Sequence, residues 1–320
     1  MSAVLWCRLL PRVVVVVLAP ALAALVALGG CGGSETTPLE PDDGNPFTPF
    51  AVGADTTFEV VTWNLRNFAE DAGSTEVALV AAAIEGLGAD LVAVQEIAQA
   101  DRFSALLARL PGRSGYQAVS DAFQNLGYVW LDSTVAVQGV DEILTDEWRA
   151  LPRSPLVIEL TWRGHPLVVI DNHLKCCGDG ELDLDDPDDE ENRRLVACQL
   201  LEAWIASEHP DDAVILLGDL NDLLDDPPAD NVFTPFSDLP DSYAFADLAI
   251  ATGPAFGWSW GPGRSHLDHI LVTDELFGAL AASGGGCRTL RIDLALDGQY
   301  ATRVSDHVPV ALILPESALP

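Results

Sequence analysis

The segment AVILLGDLND, residues 213–222, joins five consecutive apolar residues to a glycine and then to polar groups. The apolar run predicts a buried strand, followed by a turn at Gly218 and by Asp219, Asn221 and Asp222. Carboxylates and amides at the end of a buried strand lose water unless something binds them. They could hold a metal ion or a phosphate, or they could form a simple polar turn, since Asp and Asn favour turns.

Five further segments place polar residues at one edge of an apolar run. These residues are Asn64 in FEVVTWNLRNF, Glu96 in DLVAVQEI, Asn172 and His173 in LVVIDNHLK, Asp268 and His269 in SHLDHILVT, and Asp306 and His307 in VSDHVPVAL. Turn chemistry would explain one or two such segments. Six are better explained if the strand edges meet at one rim, so we expect these side chains to converge on a single site.

The donor atoms of such a site indicate its chemistry. Carboxylate oxygens from Glu96 and Asp306 suit Mg²⁺ or Mn²⁺, and the sequence offers no cysteine or triple-histidine cluster at these edges for zinc. A magnesium ion held by few protein ligands keeps positions open for water and a phosphate oxygen. Neighbouring His, Asn and Asp side chains can then position water and accept its proton. The predicted reaction class is metal-assisted hydrolysis of a phosphate ester.

The elements that would position these residues alternate between strands and helices from about residue 58 onward. Predicted strands cover 58–63, 90–95, 128–130, 134–140, 156–162, 167–170, 213–217, 270–272 and 308–314, and predicted helices cover 74–87, 102–110 and 193–207. Short apolar runs of this kind suit strands buried in a sheet core with helices outside. The sequence shows no internal repeat and no second linker, so we expect one domain over residues 55–316.

The motifs WNLRNF, QE, NHL, GDLND, LDHI and SDHVP, in this order, resemble those of the endonuclease/exonuclease/phosphatase superfamily, which includes deoxyribonuclease I. The resemblance spans roughly residues 58–314, and its most specific pieces are GD-x-N and SDH-x-P. It implies an α/β (α+β) fold, a four-layered sandwich. In that fold two mixed β-sheets pack face to face with helices on the outside.

The resemblance also implies which residues bind metal. Glu96 would be the principal metal ligand, with Asn64 and Asp306 beside it. Some members of the superfamily share the metal with a second site near the residues that correspond to Asp219 and Asn221. The number of metal ions therefore stays open.

Five further residues receive catalytic roles from the resemblance. Asp219 would orient or deprotonate the attacking water, and Asn221 would hold the phosphate. His307 would be the catalytic histidine, held and kept basic by Asp268, as in other carboxylate-oriented imidazoles. His173 would donate a hydrogen bond to a phosphoryl oxygen.

The sequence departs from the superfamily pattern at one position that matters. Several members carry a second Glu, between the QE and NHL motifs, that supports the first histidine, and this chain has no obvious equivalent. Arg153 and the helix-start residues Arg193 and Arg194 match arginines that we expect to brace the fold. The histidines expected to be non-catalytic are His165, His209, His266 and His269, of which His266 lies nearest the predicted rim.

The charge of the chain limits its partners. It has 16 Lys plus Arg against 49 Asp plus Glu, a formal net charge of −33. Sequence-specific DNA binding needs a basic face for the phosphates and is not expected. Residues 178–192 contain nine of the carboxylates. They could form a structural Ca²⁺ loop, but the EF-hand pattern does not match, and a solvated acidic loop is the other interpretation.

The first thirty residues are typical of an export signal. Arg8 and Arg12 precede an apolar run that ends in small residues before Cys31. The sequence around Cys31 resembles a bacterial lipobox, which favours a lipoprotein over a plain signal peptide or a membrane anchor. We therefore expect a signal peptide over 1–30, a flexible tether over 31–54, and a domain exported and lipid-anchored to the bacterial cell envelope.

Four cysteines remain beyond the predicted anchor: Cys176, Cys177, Cys198 and Cys287. In an exported protein, disulfides are the default expectation. A bridge from Cys176 or Cys177 to Cys198 would close the base of the acidic loop, and the sequence does not identify a partner for Cys287.

These patterns together predict a metal-dependent phosphodiesterase, nuclease-like by family frequency. A sphingomyelinase-like phospholipase C or a phosphomonoesterase is the alternative, which the acidic surface favours. Phe256, Trp258 and Trp260 could form a platform for the substrate or a membrane, although a tryptophan there commonly serves packing in this superfamily. A catalytically inactive binding module is a remote alternative. We expect a monomer, and the substrate is not identified by the sequence.

Overall fold

The structure is a computed structural model that describes residues 44–320 except 69–73, 121–123 and 262. Its strands are β1 (Thr57–Phe68), β2 (Leu91–Ile97), β3 (Arg113–Gln117), β4 (Asn125–Leu131), β5 (Val135–Glu142), β6 (Leu156–Trp162), β7 (His165–His173), β8 (Val214–Asp219), β9 (Tyr243–Phe245), β10 (Asp268–Thr273), β11 (Gly286–Thr289) and β12 (Val310–Pro315). Its helices are α1 (Ser74–Leu87), α2 (Ala100–Leu107), α3 (Glu190–Glu208), α4 (Thr234–Ser237), α5 (Leu248–Ala251), α6 (Phe277–Ala281) and α7 (Tyr300–Arg303). Short 3₁₀ segments cover Thr48–Phe50, Ala255–Gly257, Asp274–Leu276, Ile292–Leu296 and Glu316–Ala318.

The strands form two six-stranded sheets. The first has the order β11-β12-β1-β2-β4-β3, and the second has the order β5-β6-β7-β8-β10-β9. Each sheet is mixed, because β1 pairs with β2 in parallel and β7 pairs with β8 in parallel, whereas the other strand pairs are antiparallel.

Alternation along the strands separates the layers. Val60 of β1 lies in the apolar core shared by strands of both sheets, whereas its neighbour Val61 lies in a second core with residues of α1 and α2. A third core joins the outer face of the second sheet to α3 and α4. Successive strand residues face opposite sides of a sheet, so each sheet packs against the other on one face and against helices on the other. The predicted four-layered sandwich is confirmed.

The fold begins before the predicted boundary at residue 55. Phe47 is fully buried in the core beside α1, and Asn45 donates a hydrogen bond to the carbonyl of Ala82 at 2.7 Å. At the other end, Leu319 packs against the core between the sheets. Residues assigned to the tether at 45–54 therefore pack onto the domain, because an aromatic side chain in a polar stretch can still fill a core position. The described residues from 44 to 320 form one structural unit.

The predicted disulfide is not formed, because all four described cysteines are free. Cys198 is buried on the face of α3 that packs against the second sheet, where burial raises the pKa of its thiol. Cys176 and Cys177 lie at the cleft end of β7 with their sulfur atoms 2.9 Å apart. The helical register therefore turns Cys198 into the core, away from the acidic loop that the bridge was expected to close.

The predicted signal peptide, Cys31 and most of the predicted tether lie outside the described residues. Among the residues that are described, we find no helix whose length and hydrophobicity would suffice to span a bilayer.

Candidate active site

The predicted site residues come together at one edge of the paired sheets. The parallel strands β1 and β2 end there with Asn64 and Glu96, and the parallel strands β7 and β8 end there with His173 and Asp219. Strand β10 runs opposite to β8 and therefore begins at the same edge with Asp268. A cavity of about 610 Å³ opens here, and the predicted residues among those lining it are Glu96, His173, Asp219, Asn221, Asp306 and His307.

Glu96 sits at the wall of this cavity in a backbone conformation that only a few non-glycine residues adopt. Its φ is +62°, in the left-handed region, and such strain is found preferentially at functional sites. The backbone N–H of Asn67 donates to its Oε2 at 2.7 Å, and Asn64 Nδ2 donates to its Oε1 at 3.1 Å. His173 Nε2 lies 3.8 Å from Oε1. Glu96 is thus held with one oxygen turned toward the other site residues.

Asn64 joins the two carboxylates of the site. Its Nδ2 donates to Glu96 and also to Asp219 Oδ2, at 2.8 Å, while its Oδ1 accepts from the backbone N–H of Arg66. The side chain is 1 % exposed. In this geometry Asn64 fixes the spacing of Glu96 and Asp219, and its own oxygen faces the irregular last residues of β1.

Asp219 occupies the centre of the site. Its Oδ2 lies 3.7 Å from His173 Nε2 and 3.8 Å from His307 Nε2, and its Oδ1 accepts from the backbone N–H of Asn221. Burial raises the pKa of Asp219 to about 7, against the lowering effect of His307 and the hydrogen bond from Asn64. A carboxylate deprived of water in this way is a stronger proton acceptor than an exposed one.

His307 and Asp268 form a buried dyad. His307 Nδ1 lies 2.8 Å from Asp268 Oδ2, which leaves Nε2 directed at Asp219. Burial disfavours the imidazolium, but the carboxylates of Asp268 and Asp219 outweigh it and raise the pKa of His307 to about 10. The predicted pairing of His307 with Asp268 is what the structure shows.

His173 also faces Glu96 and Asp219 through Nε2, but its other nitrogen is unusual. Nδ1 is buried and has no hydrogen-bond partner in the described part of the chain. This agrees with the absence of the second Glu that supports this histidine in other members of the superfamily. Burial, and then the charges of Arg153 and His307, lower its pKa well below the ordinary value, so the ring is neutral. A neutral imidazole can still donate one hydrogen bond to a phosphoryl oxygen.

Asn221 and Asp306 complete the lining. Asn221 has a φ of +55°, and its Nδ2 donates to the carbonyl of Leu174 at 3.2 Å, which ties the loop after β8 to the loop after β7. Asp306 lies at the rim, with its side chain 36 % exposed and Arg66 Nε 3.8 Å from its Oδ1. Asp306 is therefore the most solvent-accessible of the predicted metal ligands.

His266 and His269 belong to a separate buried cluster. Asp247 Oδ2 lies 2.9 Å from His266 Nε2 and 2.6 Å from His269 Nδ1, and His269 Nε2 lies 2.9 Å from the carbonyl oxygen of Asp222. Neither histidine lines the cavity. Asp247 precedes a short helix in the sequence and resembles a capping residue, so no pattern identified it as their partner.

Two residues at the irregular end of β1 were not identified from the sequence. Asn67 holds Glu96 through its backbone N–H, which no side-chain pattern can reveal, and Arg66 approaches Asp306. The WNLRNF motif contains both residues, so the signal was present without an indication of their roles. Arg194 braces the fold as expected, with Nε 2.7 Å from Asp222 and Nη1 2.8 Å from the carbonyls of Lys175 and Cys177.

Gly218 is a strand residue, which corrects the predicted turn. β8 continues through Asp219, and Gly218 pairs with Asn172 of β7 at a φ of +140°. A Cβ at Gly218 would lie 1.9 Å from the carbonyl oxygen of Asn172. Only a residue without a Cβ allows the two strands to approach closely enough to bring His173 beside Asp219.

We expect Gly218→Ala to destabilise the protein by about 1–3 kcal/mol, because the new methyl group meets backbone that must shift. Urea unfolding of the variant would measure this loss. A matched Gly164→Ala change, at a positive φ but with nothing within 4 Å of the added Cβ, separates steric overlap from backbone strain. Equal losses in the two variants would contradict the steric explanation.

The donor atoms of the site fit a hard divalent cation. Glu96 and Asp219 offer carboxylate oxygens that lie within 4 Å of the same imidazole nitrogen, and Asp219, Asp268 and His307 form a cluster whose donor atoms all lie within 4.8 Å of one another. The cleft also exposes Asp306 beside them. Oxygen-rich sites of this kind suit Mg²⁺ or Mn²⁺.

The chain was compared with known protein families, curated sequences and solved structures, and the family and structure matches agree with the resemblance carried by its motifs. Residues 61–307 match the family described as the endonuclease/exonuclease/phosphatase family. No curated protein sequence matches the chain significantly. Three similar solved structures show the shared fold at low sequence identity.

The D. rerio TDP2 structure complexed with a single-strand DNA product is 16% identical, with a TM-score of 0.60 over 81% of this chain and 99% of that chain. The endonuclease/exonuclease/phosphatase from Bacteroides vulgatus is also 16% identical, with a TM-score of 0.59 over 81% and 98%. The human nocturnin catalytic domain with bound sulfate is 18% identical, with a TM-score of 0.56 over 82% and 95%.

Proposed function

The chain belongs to the endonuclease/exonuclease/phosphatase family, and from this premise we propose that it is a divalent-metal-dependent phosphodiesterase. Enzymes of this family are hydrolases that act on phosphate esters. The observation that carries the proposal is the position of Asp219, with one oxygen within 4 Å of both His173 and His307 and bonded through Asn64 to Glu96.

The proposed metal is Mg²⁺ or Mn²⁺, held by Glu96 with Asp306 and Asn64 beside it. When bound, the ion would polarise the phosphate and lower the charge that an attacking water meets. The hydrogen bond between Asn64 and Glu96 and the position of Glu96 and Asp306 in the wall of one cavity support this assignment, and the number of ions stays open.

The protein's own residues supply the remaining chemistry. Asp219 would orient the attacking water and accept its proton, since burial raises the pKa of its carboxyl group to about 7. His307, with its charge stabilised by Asp268 at 2.8 Å, would stabilise negative charge on the phosphoryl oxygens. Asn221 and neutral His173, which both lie beside Asp219, would donate hydrogen bonds to the phosphate.

A nuclease-like activity is the first candidate, and the D. rerio TDP2 complex with a DNA product has the same fold. The second candidate is hydrolysis of a small or lipid phosphodiester, as in a phospholipase C. It is favoured by the acidic side chains of Asp222, Asp226 and Asp306 in the cavity wall, which repel an extended polyanion. A phosphomonoesterase is a further alternative on the same site.

The purified protein should hydrolyse bis(p-nitrophenyl) phosphate in Mg²⁺ faster than p-nitrophenyl phosphate, because a diesterase needs both ester groups. Parallel reactions with plasmid DNA and choline phospholipid vesicles distinguish the two candidates. Intact plasmid together with released phosphocholine would reject the nuclease. Glu96→Gln should raise the Mg²⁺ concentration for half-maximal rate by at least about tenfold. A metal-independent rate in both proteins would reject the proposal.

Export and lipid anchoring through Cys31 remain proposals supported by the sequence of residues 1–31. The tether of polar and small residues would hold the domain near the membrane surface. A monomer is proposed as well.

A further inference from the structure

The acidic segment 178–192 folds so that three of its nine carboxylates converge. Asp179 comes from its start, Asp189 caps the N-terminus of α3, and Glu191 is the second residue of that helix. One oxygen from each lies within 4.8 Å of the oxygens of the other two. None of these residues is part of the proposed catalytic machinery.

Glu191 shows a second feature that the charge cluster alone does not explain. It is 2 % exposed, and its Oε1 already accepts from the backbone N–H of Gly180 at 2.8 Å and pairs with Arg194 at 3.0 Å. Its Oε2 is buried and has no hydrogen-bond partner in the described part of the chain. Burying an ionised oxygen without a partner is costly, so this atom points to a ligand that supplies positive charge.

In each of the other two carboxylates, one oxygen accepts a backbone hydrogen bond and the second oxygen is left to bind a ligand. Asp189 uses Oδ1 to accept from the backbone N–H of Asn192 at 2.7 Å, and Asp179 uses Oδ1 to accept from that of Glu181 at 3.1 Å. Their Oδ2 atoms take no part in these bonds.

The protein neutralises this cluster incompletely. Arg194 is the cation paired with it, and the same guanidinium also pairs with Asp222 at 2.7 Å. The three carboxylates of Asp179, Asp189 and Glu191 are therefore balanced by less than one positive charge, because Arg194 also neutralises Asp222. Like charges at these separations repel one another unless a cation lies between them.

We propose that Asp179, Asp189 and Glu191 bind a Ca²⁺ ion. Ca²⁺ accepts six to eight oxygen ligands in flexible geometry, whereas Mg²⁺ demands a strict octahedron and usually takes only one or two carboxylates. Backbone carbonyls of the loop and water would complete the coordination. The ion binds the start of the acidic segment to the N-terminus of α3.

The location gives this ion a structural role at the cleft. Gly178, Gly180, Glu191 and Arg194 line the same cavity as Glu96 and Asp219. Ca²⁺ at Glu191 would fix this wall of the cleft while the catalytic metal is held by other residues.

Calcium titration by calorimetry and Ca²⁺-dependent thermal unfolding test the proposal. The purified chain carries Glu96→Gln throughout, so that cation binding at the catalytic metal site is weakened. This protein should bind one Ca²⁺ with a dissociation constant below about 1 mM and unfold at a higher temperature in Ca²⁺ than in the same concentration of Mg²⁺.

Adding Asp179→Asn should weaken Ca²⁺ binding by about tenfold or more and abolish the thermal shift, because it removes a ligand charge. Asp179 is exposed, whereas Glu191 is buried and paired with Arg194, so the Asp179 variant should fold even if Glu191→Gln does not. Asp185→Asn, an exposed position in the same segment, is the matched control and should bind normally. Equal affinity in the Asp179 and Asp185 variants, an equal response to Mg²⁺, or no binding by the Glu96→Gln protein would overturn the proposal.

Discussion

Asp219→Asn should lower the turnover number by roughly 10³–10⁴-fold while leaving the protein folded. Asparagine has the same size and can still accept the hydrogen bond from Asn64, which lies 2.8 Å from Asp219 Oδ2. It cannot accept a proton from water, and it carries no charge to pair with His307. Steady-state hydrolysis of bis(p-nitrophenyl) phosphate at saturating Mg²⁺ measures the loss.

Stability should change far less than turnover, and this separates a catalytic role from a structural one. Asp219 is 2 % exposed, so its ionisation in the folded protein is costly, and a neutral amide removes that cost. The amide also has one acceptor oxygen and gives up the hydrogen bond from the backbone N–H of Asn221, so urea unfolding in EDTA at neutral pH should show a net change of no more than about 1–2 kcal/mol. Asp211→Asn, at an exposed position just before β8, is the matched control and should alter neither the turnover number nor the stability. A variant that unfolds, or one that keeps a tenth of the activity, would contradict the proposed role of Asp219.

The sequence predicted the central strands and the edge strand β5, and it missed the strands at the other three sheet edges. The predicted strand 156–162 and helix 74–87 coincide with β6 and α1, because each carries a long run of the appropriate apolar pattern. The missed strands β3, β9 and β11 all lie at a sheet edge. An edge strand is short and covered on fewer sides, so its sequence needs no continuous apolar run. The burial of β3, for example, alternates only between intermediate and exposed residues.

The convergence of the site was predictable because strand direction decides which ends meet. Parallel pairs bring Asn64 to Glu96 and His173 to Asp219, and these pairs are set by alternation of strands and helices along the chain. Asp268 required the antiparallel pairing of β10 with β8, which the polar residue at the entry to its strand already indicated.

The remaining features depend on tertiary contacts that have no local signal. The orientation of Glu96 depends on the backbone N–H of Asn67, 29 residues away in the sequence. The need for glycine at 218 arises from the carbonyl of Asn172 on the neighbouring strand. Cys198 was expected in a disulfide because the sequence predicts export, yet helical register places it in the core.

Asp247→Asn should destabilise the protein by about 3–5 kcal/mol, the cost of removing one partner from a buried charged pair. Asp247 is fully buried, and its Oδ2 lies within 3 Å of both His266 and His269 while Oδ1 accepts from the backbone N–H of Ile270. The amide cannot neutralise the histidines and offers only one acceptor oxygen. Urea unfolding of the two proteins at pH 6 measures the difference.

The size of this loss should depend on pH, and its direction follows from the two partners. Burial opposes the charge on Asp247, but His269 and the hydrogen bonds from both histidines lower its pKa below the ordinary value. Burial likewise opposes the charge on His269, but Asp247 raises its pKa. The carboxylate contributes stability above about pH 4, and the imidazolium contributes stability fully below about pH 6.5, losing it as the pH rises through its folded-state pKa.

The Asp247–His269 pair is therefore most stabilising between about pH 4 and about pH 6.5. The difference in the free energy of unfolding between wild type and Asp247→Asn should shrink when urea unfolding is repeated at pH 9. Asp241→Asn, an exposed position before β9, is the matched control and should show no such pH dependence. A loss that is the same at pH 6 and pH 9 would mean that Asp247 acts only as a hydrogen-bond acceptor. His269 also pairs in register with Gly218 of β8. The Asp247–His269 pair therefore stabilises the same strand end that carries Asp219.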